Sequence, residues 1–189
     1  MLSDRVRSEG GATLVELLVV MVLLSIVGGV VTTGLVSGMQ AQRRAQARID
    51  ALSELQRAME RTTRELRGAD PVISVGGDTV TVHVPALDGS CAEVTYLRSG
   101  TVLREQRAST APGAGCAAFG APTERNQLSN LANATVSPVV AVFTYADAGG
   151  SPVTDPVDVR RIAVTLLRDL PEQDPVRLES TVTIRNAGT

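Results

Sequence analysis

Between Leu17 and Gln42 the chain carries no charged side chain, a run of 26 residues. A helix of that length reaches about 39 Å, more than the roughly 30 Å hydrocarbon core of a bilayer. In lipid every backbone amide must be bonded within the segment, so a single span of this kind has to be helical. The chain is therefore expected to enter a membrane through one helix near its N-terminus. A cleaved secretory signal is a poorer fit, because the run is too long and no small-x-small site follows it before Arg43. Glu16, between Val15 and Leu17, does not suit a plain anchor. Near a helix N-terminus the macrodipole favours a carboxylate by about 0.3–1 kcal/mol, but deeper in apolar surroundings an ionised group needs a partner. Two readings stay open: Glu16 lies among lipid headgroups, or another molecule supplies its cation.

Gly11, then Ala12-Thr13-Leu14-Val15-Glu16 and an unbroken apolar run, resembles the class III signal of type IV pilins and type II secretion pseudopilins. The resemblance implies cleavage between Gly11 and Ala12 by a prepilin peptidase on the cytoplasmic side and N-methylation of Ala12. It also implies that Glu16 neutralises the N-terminal amine of a neighbouring subunit. Ala12 stands where this family most often has Phe. Charge alone mildly favours the opposite orientation to that of pilins: Arg5 and Arg7 precede the span, and Arg43, Arg44 and Arg48 follow it. The processing signal argues instead for an N-terminus inside and an exported remainder.

Four segments are expected: a leader at 1–11, a transmembrane or filament-core helix at 12–40, an amphipathic continuation at 41–67, and a β-rich exported head at 68–189. The continuation has no Gly or Pro, and Ala45, Ile49, Leu52, Met59 and Leu66 fall on one stripe with Leu55 beside it. Glu54–Arg57, Glu60–Arg64 and Arg61–Glu65 are spaced to pair on the opposite surface. Gly68 and Pro71 mark the helix end. Beyond it the period becomes two. Val72–Val75 and Thr79–Val84 predict one hairpin, Glu93–Arg98 and Thr101–Glu105 a second. Residues 108–138 read as a long surface loop with a short helix near Thr123–Asn130. Strands follow at Val139–Tyr145, Asp158–Arg168 and Arg177–Arg185, with a turn at Leu170–Pro175. The expected fold class is α+β, a long helix packed on an antiparallel sheet in the pilin manner. Val94-Thr95-Tyr96-Leu97-Arg98, Phe143-x-Tyr145-x-Asp147 and Val182-Thr183-Ile184-Arg185-Asn186 resemble segments of J-type minor pseudopilins and W-type minor pilins.

Cys91 and Cys116 are the only cysteines. In an exported head they form one disulfide worth about 3 kcal/mol in the chain-entropy model, the alternative being two free thiols. His83, the sole His, occupies the polar phase of a strand and is expected to face solvent. Asp147, Asp155 and Asp158 surround a Gly-containing loop. Asp147 and Asp155 are calcium candidates, although the spacing is not that of an EF-hand and a solvated turn is commoner. No motif argues for catalysis or for a cofactor. The head holds nine Arg against thirteen acids, whereas 41–67 holds seven Arg against four, so no basic stripe with interleaved aromatics invites nucleic acid. Gly28, Gly29, Gly34 and Gly38 permit close helix–helix approach or local unwinding.

These features point to a minor pilin or pseudopilin that helps initiate a filament. Its expected partners are other pilin subunits, the prepilin peptidase and N-methyltransferase, an inner-membrane assembly platform, and the bilayer before assembly. Its expected location is the inner membrane, then a periplasmic or cell-surface filament. Two other classes compete: a tip-located binding module acting through the 108–138 loop, and a membrane-tethered exported domain with no filament role.

Overall fold

The computed structural model describes residues 13–171 and 173–184. One helix, α1, spans Leu14–Arg67. No Pro interrupts it and good helix formers sustain its 41–67 part, and it ends where Gly68 and Ala69 donate to Glu65 O and Leu66 O at 3.0 and 3.3 Å. Glu16 in its first turn and Arg64 and Arg67 in its last complement the helix dipole. The chain falls into two units, Met1–Ala45 and Gln46–Thr189. In the first, every described residue is exposed.

The second unit is built around a core shared by the C-terminal part of α1 and two antiparallel sheets. Leu66, Thr62, Met59, Ala58, Leu55 and Ala51 form the buried stripe of α1. This corrects the expected stripe, because Ala45 is exposed, Ile49 is 58% exposed and Leu52 is only partly buried. Counting back from Leu66 in steps of three and four, the helical period passes through Thr62, Ala58 and Ala51. The side chains there are small or hydroxylated, and a search for large apolar residues passes over them. The expected ion pairs along α1 are corrected too. Glu54 pairs with Arg168, Arg61 with Glu105 at 3.1 Å, and Glu65 with Arg107 at 3.1 Å, all across to strands.

The larger sheet is a meander of β1 (Val72–Gly76), β2 (Thr79–Pro85), β3 (Cys91–Ser99), β4 (Val102–Ser109) and β5 (Thr123–Leu128), each antiparallel to the next. Both expected hairpins are present. Val80 and Val82 are fully buried, as the alternation requires, while Val84 is half-buried. The short helix expected near Thr123–Asn130 is instead β5, paired with β4 from Leu103↔Leu128 to Arg107↔Thr123. Apart from Thr123 its residues have no strong strand propensity. The open edge of β4 supplies the hydrogen bonds, and Leu128 alone is buried. The 108–138 segment is not all surface either: Leu131, Ala132 and Asn133 lie in the interior.

The smaller sheet has the order β6 (Phe143–Ala146), β7 (Arg161–Leu170) and β8 (Gln173–Thr183). The sixth strand starts later than expected, and the eighth begins at Gln173, so Pro175 lies within it. That strand is at the sheet edge, where a missing N–H is tolerated. Asn133 fastens the chain after β5 to β7, and Phe143 and Tyr145 tie the two sheets together. Asn133 Oδ1 accepts from Leu167 N–H (2.9 Å) and its Nδ2 donates to Thr165 O (2.8 Å). Phe143 N–H donates to Gly77 O (2.9 Å). The Tyr145 hydroxyl, 2.9 and 2.8 Å from Gly76 O and Thr79 O, closes the β1–β2 turn.

Candidate assembly site

The first turn of α1 is set by one side chain. Thr13 Oγ1 accepts from the Glu16 backbone N–H at 3.3 Å, and Thr13 O from Leu17 N–H at 3.1 Å. Thr13 is thus the N-cap and Glu16 the third helical residue, the spacing of a capping box. Thr13 was not expected to have this role, although the S/T-x-x-E spacing that signals it is visible in the sequence. The cap places Glu16 where the helix dipole stabilises a carboxylate. Glu16 is exposed, and its carboxylate has no partner among the described residues. Gly11 and Ala12, expected to flank a cleavage point, lie outside the described residues.

From Leu17 to Met39 the surface of α1 carries no charge and is largely apolar on every side. Leu14 is 84% exposed and Val30 70%, and nothing from Val15 to Met39 is buried. A surface this apolar is stable only against lipid or against other apolar helices. Its polar atoms are already satisfied: the hydroxyls of Ser25, Thr32, Thr33 and Ser37 donate to Met21 O, Gly28 O, Gly29 O and Thr33 O at 2.5–2.9 Å. A Cβ built on Gly28, Gly29, Gly34 or Gly38 would meet nothing within 4 Å. No intramolecular packing requires these glycines, and the room they leave lies open to a neighbour.

Residues 6–32 match the family model described as the prokaryotic N-terminal methylation motif. This is the class III signal of type IV pilins and pseudopilins. The match spans the end of the leader, Gly11, Ala12, Glu16 and the first half of the apolar run. None of the curated proteins matches the chain. A class III signal implies processing by a prepilin peptidase and assembly with other pilins, and together with the apolar helix it supports membrane anchoring and association with a pilus. It speaks for a structural subunit and not for an enzyme.

The remaining candidates lie in the head. Cys91 and Cys116 form a disulfide with their Cα atoms 4.9 Å apart. It holds the chain after β4 over the outer face of β2 and β3. The Thr110 hydroxyl assists, accepting from Cys91 N–H (2.9 Å) and donating to Gly115 O (2.8 Å). His83 does not face solvent as expected. Its side chain is largely covered, with Nε2 3.3 Å from Glu93 Oε2 and its ring centroid 5.0 Å from that of Phe119. The chain after Cys116 brings in Phe119, a contact that nothing in strand alternation announces. Asp147 and Asp155, the calcium candidates, each serve a local turn: Asp147 Oδ1 accepts from Ser151 N–H and Asp155 Oδ1 from Val157 N–H, at 2.9 and 3.0 Å.

Where α1 meets the larger sheet, a buried polar network went unforeseen. Glu105 is 3% exposed and accepts from Arg61 and from Gln127. Glu65 accepts from the Tyr96 hydroxyl at 2.7 Å and from Arg107 at 3.1 Å. Burial, then the hydrogen bond to Glu65, pushes the Tyr96 phenol well above its ordinary pKa, and burial does the same to Tyr145. Satisfied on this scale, the network fixes the register of helix on sheet.

Proposed function

We propose that the chain is a minor pilin or pseudopilin, a structural subunit of a type IV pilus or of a type II secretion pseudopilus. The observation that carries this reading is an exposed Glu16, without a carboxylate partner among the described residues, at the third residue of an apolar helix and within a class III signal. Cleavage between Gly11 and Ala12 frees an amine at the same helix end as Glu16. An incoming subunit pairs its Glu16 with the amine of a neighbour, or offers its amine in return, while the apolar helices cover one another. In such surroundings an unpaired charge is expensive and a paired one is tolerated, so the pairing sets axial register. The subunit then primes or initiates the fibre without forming its bulk. The partners are other pilins, the prepilin peptidase and N-methyltransferase, and the inner-membrane assembly platform. The head is exported, and its two cysteines are oxidised there.

Intact-mass measurement on protein purified from membranes tests this directly. A chain that begins at methylated Ala12 is expected. A chain that retains Met1 in cells with an active prepilin peptidase overturns the reading.

A further inference from the structure

We propose that the Cys91–Cys116 pair together with His83 is a second site: in the reduced chain the two thiolates and His83 hold a thiophilic cation of the Zn2+ class. The donor atoms of His83, Cys91 and Cys116 all lie within 4.8 Å of one another. They come from three separate segments. His83 is on β2, Cys91 on β3, and Cys116 on the chain folded over them. His83 pairs across the sheet with Glu93, and Pro85 with Cys91, so His83, Glu93 and Cys91 share the outer face at successive alternate positions. Cys91 is buried and its strand is held on both sides. Glu93, 3.3 Å from His83 Nε2, fixes the ring, as carboxylates do for metal-bound imidazoles.

Two thiolates and an imidazole form the donor set that tetrahedral zinc prefers, with Zn–S about 2.3 Å and Zn–N about 2.0–2.1 Å. Those lengths place tetrahedral donors roughly 3.4–3.8 Å apart, so the three atoms need only small shifts once the sulfurs part. Cys116 sits in exposed loop and can supply that movement, leaving a fourth position for water. The electrons balance as follows. A dithiol gives two electrons and two protons to the disulfide and becomes a disulfide itself. Zn2+ then displaces two thiol protons to solvent. Metal and disulfide exclude each other, and either one clamps the same loop to β2 and β3.

The test uses the full chain in detergent, reduced with excess dithiol, desalted under nitrogen and titrated with Co2+ and then Zn2+. The expected result is one thiolate-to-cobalt charge-transfer band per reduced chain, lost on adding Zn2+ and missing from the oxidised chain. His83→Phe, which keeps a ring against Phe119, is expected to weaken Zn2+ binding at least tenfold. Two results overturn the site: no such band in the reduced chain, or equal affinity in His83→Phe, which would make it an ordinary thiol pair. Should reduction alone abolish the far-ultraviolet β signal, its recovery with Zn2+ in the native chain and not in His83→Phe supports the site. Failure to recover overturns it.

Discussion

Thr62 lies fully buried on the sheet-facing stripe of α1, and its hydroxyl has no hydrogen-bond partner among the described residues. An unmet buried hydroxyl is destabilising, so Thr62→Val is expected to stabilise the protein by about 1–2 kcal/mol. Urea unfolding of the detergent-purified chain, followed by the fluorescence of Tyr96 and Tyr145, the only tyrosines, measures it. Both phenols are also predicted to shape stability at high pH. Their pKa values are raised in the folded protein, so above the ordinary value of about 10 the unfolded chain releases protons that the folded chain retains. Stability is therefore complete below about pH 10 and falls above it, by up to about 1.4 kcal/mol per pH unit for each tyrosine. Tyrosinate absorbance is expected to rise together with unfolding; a rise well before it would contradict this.

Among the elements, those with strict periods were readable and those whose contacts cross the chain were not. The membrane-length apolar run and the Gly- and Pro-free stretch at 41–67 announce α1, and Val80 and Val82 announce the inward face of β2. The buried stripe differs from the one that large apolar residues mark, because Thr62 and Ala51 look indifferent until a sheet lies against them. The fifth strand, Thr-Glu-Arg-Asn-Gln-Leu, has no alternation to read; its state comes from the open edge of β4. The helix charges were assigned to neighbours one turn away, whereas Glu65 and Arg61 reach strands 42 and 44 residues distant. At the candidate site the lone Glu16 was legible from its surroundings, and its cap was legible from spacing. The covered His83 was not, because Phe119 reaches it through the Cys116 loop. That loop carries a prediction of its own. Replacing Cys91 and Cys116 with Ser is expected to lower stability by about 2–4 kcal/mol and to expose the chain around Cys116 to proteolysis first. Limited digestion with mass mapping checks both the order and the site.

For the molecule as a whole, the first unit is exposed along all its described residues, and the second unit folds around its own core. Glu16→Ala touches no described contact of the Glu16 carboxylate, so cleavage after Gly11 and folding of the head are expected to survive while incorporation into filaments is lost. Immunoblotting of sheared filaments against the membrane fraction separates the two; normal incorporation of the variant removes the pairing role. The side-chain hydroxyls of the apolar helix, each spent on a carbonyl one turn back, bear on how such a subunit travels. None of these four hydroxyls needs a new companion if the surroundings of the helix change from fatty acyl tails to sister helices. On the proposed reading, entry into a fibre and return to the bilayer would proceed without the helix breaking those bonds.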